Sequence, residues 1–391
     1  MPHSADSESM RFVVFSDDWG VHPSSCQHLF RFIVDRFPVT WINTVGMRPP
    51  SFSVADFRKI LYKSAKMLSG GKATAIRSPA LLTVAQPLMA PYMGSARARR
   101  FNRWSVGRTM GKTVGTDKRQ RTIVLTTVPN AADYVDLIDA DLKVYYCVDD
   151  FSEWPGLDKK LILAMESELL QRVDIILATS EGLRARLAET GKPVAMLEHG
   201  VDLAHFSQVA AEDHACLRDI PSPRAGFFGL IDGRMDQGLL SSLAKACPDL
   251  QIVLAGPAEV STSELSKLAN VHMVGRIPYA ELPQLIRGLD TLIIPYKVNE
   301  LAKALSPLKL KEYLATGKRI ISTPIPASLT FGPHVEIAAS AEDWTELLRP
   351  GVESRTGTRD VHEVLDGQSW REKAQWLVET CRSGQVRAPI D

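Results

Sequence analysis

The sequence predicts an α/β protein of two doubly wound, Rossmann-like domains facing a central cleft, and three observations predict it. Its 391 residues, 45% hydrophobic and 23% charged, exceed one ordinary domain and suit two. Short apolar runs rich in β-branched residues alternate with segments of helical period, the pattern of a parallel sheet covered on both faces. The alternation stops at a polar stretch, 207–223, with Pro221 and Pro223, and then restarts. The expected division is therefore 1–205, a linker 206–223, a second domain 224–368, and a C-terminal helix 369–391 crossing back to the first domain.

In the first domain, strands are expected at 11–16, 39–43, 80–85, 122–127, 143–148, 173–179 and 194–197. Helices are expected at 24–37, 54–68, 131–138, 158–172 and 181–190. The stretch 95–116 mixes helix formers with three glycines and is ambiguous. In the second domain the strands are 225–228, 251–255, 272–274, 291–294 and 319–322, with helices at 236–246, 279–288 and 307–316. The tail 369–382 places apolar residues at 370, 374, 377, 378 and 381, an amphipathic helix with a face to bury.

Composition excludes several classes. No run of about 18 apolar residues exists, so no membrane-spanning helix is expected. The first ten residues are polar and do not read as a signal peptide. Five cysteines are scattered at 26, 147, 216, 247 and 381 without a CxxC, which suggests reduced thiols in a cytoplasmic protein. The net charge of +1 hides an asymmetry. Residues 58–121 carry fifteen Lys/Arg and one acid, while the rest carries 31 basic and 44 acidic residues. Such a cationic segment needs an anionic partner or a solvent role.

Ligands of open parallel sheets bind beyond the carboxyl ends of the strands. Ser306 is a good N-cap, Pro307 suits the first helical position and Gly317 is a natural stop. Yet Lys303, Lys309 and Lys311 crowd that helix start, where a cation opposes the macrodipole by ~0.3–1 kcal/mol. A diphosphate held by helix N–H groups and Lys309 would resolve the conflict, with Glu312 one turn on for ribose hydroxyls. A solvated Lys/Glu helix is the alternative. In the loop 229–236, Gly229 lets backbone approach a ligand, Arg234 would reach the same diphosphate, and Asp236 reads as an N-cap. In the first domain, Asp149 ends a strand as a candidate general base for a hydroxyl, with Asp150 capping the next turn. His199, beside a glycine, would bond a phosphate or sugar oxygen. The loop 16–25 offers Asp17, Trp19 and His22 to an acceptor; a plain turn and N-cap is the other reading.

On these residues a resemblance becomes specific. SPLKLKEYLATGKRIISTP, preceded by LDTLIIPY, resembles the nucleotide-sugar site of GT-B glycosyltransferases. Within them it is similar to the family-4-like and xanthan-type glucuronosyltransferase-like enzymes of bacterial surface polysaccharides. ATSEGLRARLAETGKPVAMLEHGVDLAHF resembles the segment leading to their linker, and RAGFFGLIDGRMDQGLLSSLAKACPDLQIVLAGP resembles their first nucleotide-domain βαβ unit. The likeness covers 140–325 well and the first 140 residues weakly.

The resemblance implies that Glu312 holds a ribose, that Ser306, Pro307, Leu308 and Lys309 line a diphosphate, and that Tyr296 lies against the nucleotide. It places Asp149 at the catalytic base and His199 at a cleft residue. A second Glu, common eight residues earlier in family-4-like enzymes, is here Ala304, with Glu300 displaced by four; its absence weakens a retaining reading, and Asp149 favours inversion. The implied activity is transfer of a sugar from a nucleoside-diphosphate-sugar to a hydroxyl of an oligosaccharide or polyprenyl-diphosphate-linked acceptor, without cofactor or metal. From the residues themselves, the basic segment 58–121, with the apolar run 81–93 and with Phe101 and Trp104 among its cations, suits anionic inner-leaflet lipid, a solvated basic face being the alternative. The expected location is cytoplasmic and peripheral on the inner face of the membrane.

The rivals are a nucleotide-sugar epimerase of the same architecture and a nucleic-acid-binding protein. The latter lacks an RNA-binding motif and has few aromatics in its basic segment. Gly107–Thr113 is one residue short of a phosphate loop, no GxGxxG follows the first strand, and Asp139-Ala-Asp141 precedes a strand rather than following one.

Overall fold

All twelve apolar runs read as strands form strands. A computed structural model describes residues 10–21, 24–44, 80–114, 119–154, 156–299, 308–349 and 364–386. It divides into Met1–Glu198 with Trp370–Asp391 as one unit, and His199–Ser369 as the other.

The first unit contains β1 (Met10–Ser16), β2 (Val39–Asn43), β3 (Leu82–Ala85), β4 (Arg121–Thr126), β5 (Leu142–Cys147), β6 (Ile175–Ala178) and β7 (Val194–Met196). All pair in parallel, in the order β3-β2-β1-β4-β5-β6-β7. The near-continuous apolar strands follow from burial on both faces. One face packs Val106 and Met110 of the Ala96–Thr113 helix; the other takes the Ser25–Ile33 helix, with Phe12 and Phe30 edge to face at 5.5 Å. The Trp370–Ser383 helix packs on Ser25–Ile33, where His28 and Trp370 stack at 4.9 Å.

The second unit contains β8 (Arg224–Phe228), β9 (Gln251–Ala255), β10 (Val271–Gly275), β11 (Thr291–Ile294), β12 (Arg319–Ser322) and β13 (Glu336–Ile337). Their order is β10-β9-β8-β11-β12-β13, again the doubly wound sequence with its reversal beside the first strand. The reversal lies between β1 and β4 in one sheet and between β8 and β11 in the other.

Two expectations are corrected and one ambiguity is resolved. The segment 206–223 is no free linker: Phe206, Leu217 and Ile220 are buried in the second unit's core, and the chain leaves the first unit after Glu198. The helix expected at 131–138 is two 3₁₀ turns, Pro129–Asp133 and Val135–Leu137. Arg172 and Arg103 bond the carbonyls of Ala132 and Asp133, turning them away from a helical ladder. The ambiguous 95–116 stretch is one helix, Ala96–Thr113, capped by Ser95, so the run at 107–113 forms no phosphate loop. The helix expected at 54–68 lies outside the described residues.

Candidate functional site

In the second unit, Gly229, Arg234, Tyr296 and Lys309 gather at the sheet's reversal point. The loop after β8 pairs with the loop after β11: Met235 bridges Tyr296, Asp236 N–H donates to Pro295 O at 2.8 Å, and Lys297 N–H to Arg234 O at 2.8 Å. Asp236 then caps the Gln237–Ala246 helix through Leu239 N–H, as expected. The Leu308–Ala315 helix buries Leu310, Tyr313 and Leu314. Tyr313 pins it to β8, its hydroxyl accepting from Phe228 N–H at 3.1 Å. This pinning fixes where Lys309 and Glu312 stand.

The Lys309 ammonium lies 5.6 Å from the Phe227 ring centre and directly against Gly229. A Cβ at Gly229 would sit 1.8 Å from Lys309 Cε, and one at Gly256 would sit 1.8 Å from Gly229 O. Both glycines have left-handed φ, 138° and 142°. Gly256→Ala is expected to destabilise more than Gly229→Ala, because it meets backbone whereas Gly229→Ala meets the end of a flexible side chain. Each carries about 1–3 kcal/mol of conformational strain. Thermal unfolding of the two variants checks the order.

Arg234 is held in place by its neighbour. Asp232 accepts from Nε at 2.9 Å and from Nη2 at 2.5 Å, and the guanidinium lies 5.7 Å from the Tyr296 ring centre. Burial would raise the Asp232 pKa, but Arg234 outweighs it and holds the carboxyl below its ordinary range. The Glu312 carboxyl is pushed up to about 7 by burial, against the lowering influence of Lys309. Ser306 and Pro307 lie outside the described residues; Leu308 opens the described helix. His199 falls in this unit, not the first. Its carbonyl accepts from buried Lys311 Nζ at 2.9 Å, and the same ammonium donates to Gln368 at 2.7 Å. Val201 N–H donates to Gln368 O at 2.9 Å, so Lys311 ties the outgoing and returning chain segments to this helix.

In the first unit, Asp149 and Asp150 follow β5. The Asp149 carboxylate accepts from Asp150 N–H at 2.8 Å and Trp154 Nε1–H at 2.9 Å. Asp150 caps the next turn, accepting from Ser152 N–H at 3.0 Å. Beneath them Glu166 accepts from Tyr145 Oη–H at 2.9 Å and pairs with Arg186, whose Nε lies 3.7 Å from Asp150. Burial drives the Cys147 thiol up to about 12, so it is no nucleophile at neutral pH. In the loop after β1, Asp17 accepts from Ser16 and Ser24 hydroxyls and from Gln27 Nε2–H at 2.8–2.9 Å. Its carboxylate is a loop holder, and Ser24 is indeed the helix cap. Trp19 packs edge-on to Trp41 at 4.7 Å with part of its ring accessible. His22 lies outside the described residues.

Asp232, Glu166 and Arg186 were missed by sequence reasoning, and Lys311 was read as a cation at the helix start rather than as the tie between chain segments. Asp232 had a signal, a carboxylate two residues from Arg234 in a tight turn; the others bond across long sequence separations and had none.

No protein-family model matches the chain. Two solved structures superpose along nearly its whole length. HepE of Anabaena, solved with UDP-glucose, has a TM-score of 0.64 at 12% identity, covering 95% of this chain and 99% of that one. Sucrose-phosphate synthase from Thermosynechococcus elongatus has a TM-score of 0.69 at 13% identity, covering 95% and 98%. The chain has the GT-B fold. The expected resemblance to GT-B glycosyltransferases of surface polysaccharides is borne out as well. TuaH of Bacillus subtilis (strain 168), named for a glycosyltransferase of teichuronic acid biosynthesis, is 31% identical over 179 residues. That match spans 44% of this GT-B chain and 45%, about half, of its relative. Among the described residues, no helix is long and apolar enough to cross a membrane, and no group of three or more His, Cys, Asp or Glu could hold a metal ion.

Proposed function

We propose that this GT-B protein is a glycosyltransferase moving a sugar from a nucleoside-diphosphate-sugar to a hydroxyl of an oligosaccharide or lipid-linked acceptor in cell-surface polysaccharide synthesis. One observation carries the reading: Lys309, Glu312, Gly229, Arg234 and Tyr296 all lie at the end of one sheet where its strand order reverses. Lys309 and Arg234 suit a diphosphate, the glycine lets it approach backbone, and Glu312 suits the paired hydroxyls of a ribose. HepE, solved in complex with UDP-glucose, supports a uridine nucleotide sugar as donor, and TuaH, named for teichuronic acid biosynthesis, supports a surface polymer as product.

In the first unit, Asp149 takes the proton of the acceptor hydroxyl as its oxygen attacks the anomeric carbon. The bond to the diphosphate breaks, and its electron pair leaves with the diphosphate. Lys309 and the helix start neutralise the departing charge, work done by a metal ion in other transferases. Attack opposite the leaving group inverts the anomeric centre. His199 serves as a further oxygen ligand, and Trp19 as a stacking surface for the acceptor. The enzyme works at the inner face of the membrane.

A melting screen with uridine, guanosine and adenosine diphosphates and their sugars tests the donor site. A ligand at 100 times its Kd should stabilise the fold by about 2.7 kcal/mol. No shift with any of them would refute the reading. Epimerised nucleotide sugar formed without an acceptor would replace the transferase with an epimerase.

A further inference from the structure

The Ala96–Thr113 helix has two faces of unlike chemistry. Asn102, Ser105, Val106 and Met110 are buried against the first unit. Arg99 turns inward to Asp133 and Glu168, and Arg103 reaches the Asp133 carbonyl. The outward face presents Arg97, Arg100, Phe101, Trp104, Arg108 and Lys112, all exposed and all within one stripe at helical spacing. Trp104 is 61% and Phe101 39% exposed, with ring centres 5.9 Å apart. Along the adjoining chain Leu88 and Tyr92 are also exposed, as is Val84 on β3, the outermost strand of the sheet and a neighbour of this helix.

Charge is as one-sided as apolarity. Residues 80–114 contain no Asp or Glu, and among the described residues Arg99 is the helix's one ion-paired cation. A solvated basic helix accounts for the arginines but not for two large aromatic rings set among them.

We propose that this face is a docking surface for an anionic phospholipid bilayer. Guanidinium groups would meet lipid phosphates while Trp104 and Phe101 enter the boundary between headgroups and acyl chains. The aliphatic neighbours Val84 and Leu88 favour lipid over nucleic acid, whose bases stack on flat rings but gain little from aliphatic side chains. The surface deepens the lipid-linked branch of the acceptor reading, and it rests on residues distinct from the donor site.

Vesicle flotation of the full chain tests it, with phosphatidylcholine alone and with added phosphatidylglycerol. Binding should require the anionic lipid and weaken with salt. Each basic residue near the surface contributes about fivefold, so joint Arg97→Gln, Arg100→Gln and Arg108→Gln should lower partitioning about 100-fold. Trp104→Ser should weaken binding while leaving its salt dependence in place. Equal binding to both vesicles, or wild-type binding by both variants, would overturn the proposal. So would RNA retention abolished by the triple substitution in a protein that ignores vesicles. The melting shift with UDP-glucose, read on the same preparations, should survive both variants. Its loss in the wild type would indict the donor reading instead.

Discussion

Asp149→Asn is expected to lower turnover by about 10²–10⁴-fold while leaving nucleotide-sugar affinity within about twofold. The asparagine keeps the shape and one acceptor oxygen, so the bond from Asp150 N–H, 2.8 Å in the native turn, can persist. What it loses is the ability to take a proton. It also presents a carboxamide where the indole of Trp154 donated at 2.9 Å, and that part of the effect is separable. Trp154→Phe deletes the same hydrogen bond but spares the carboxylate, and should retain most of the turnover. Steady-state kinetics with a saturating acceptor, together with donor titration by calorimetry, distinguish the two roles. Equal loss of turnover in both variants would mean that the turn matters, not the base. The Glu166–Arg186 pair beneath Asp150 explains how a carboxylate at a strand end stays positioned.

Strand placement was legible because both sheets are parallel and their inner strands are buried on two faces, which turns those strands into apolar runs. The short β13 escaped for the same reason: Glu336–Ile337 has two residues, one a buried acid paired with Arg319 at 2.8 Å, and so no apolar run at all. The Ala341–Leu347 helix was overlooked although its capping box, Ser340 with Asp343, stands in the sequence. Asp236 and Asp150 were read correctly as caps because capping depends on neighbours only a few residues away. Asp17 was read as an acceptor ligand, and its hydrogen bonds within the loop were not foreseen. Its three donors include Gln27, ten residues on, which reaches back only after the helix forms. The crossing point at Glu198 was obscured because 206–223 is polar on average, yet Phe206, Leu217 and Ile220 within it are buried in the second unit's core.

Glu312 gives the sharpest test of the second unit, because affinity for a nucleotide sugar should rise about tenfold from about pH 6 to about pH 8. A nucleotide sugar is the right probe, since its diphosphate diester titrates well below this range. Burial places the free carboxyl at about 7, and two ribose hydroxyls donating to it favour the ionised form. Binding therefore releases a proton near pH 7, and acid weakens it. Glu312→Gln should bind more weakly at pH 8 and show a flat profile. The unliganded protein should respond in the opposite sense. A raised carboxyl stays protonated in the fold while the unfolded chain ionises, so stability falls as pH rises from the ordinary carboxylate range to about 7. Glu312→Gln escapes that loss, and its melting temperature should exceed wild type at pH 8 by an amount that vanishes in acid. The loss amounts to at most about 3 kcal/mol. Lys309→Met supplies the last check: Lys309 lowers this carboxyl, so its removal should carry the affinity profile to higher pH as well as weaken it. A residue that merely filled space beside the helix would produce neither the proton release nor that coupling.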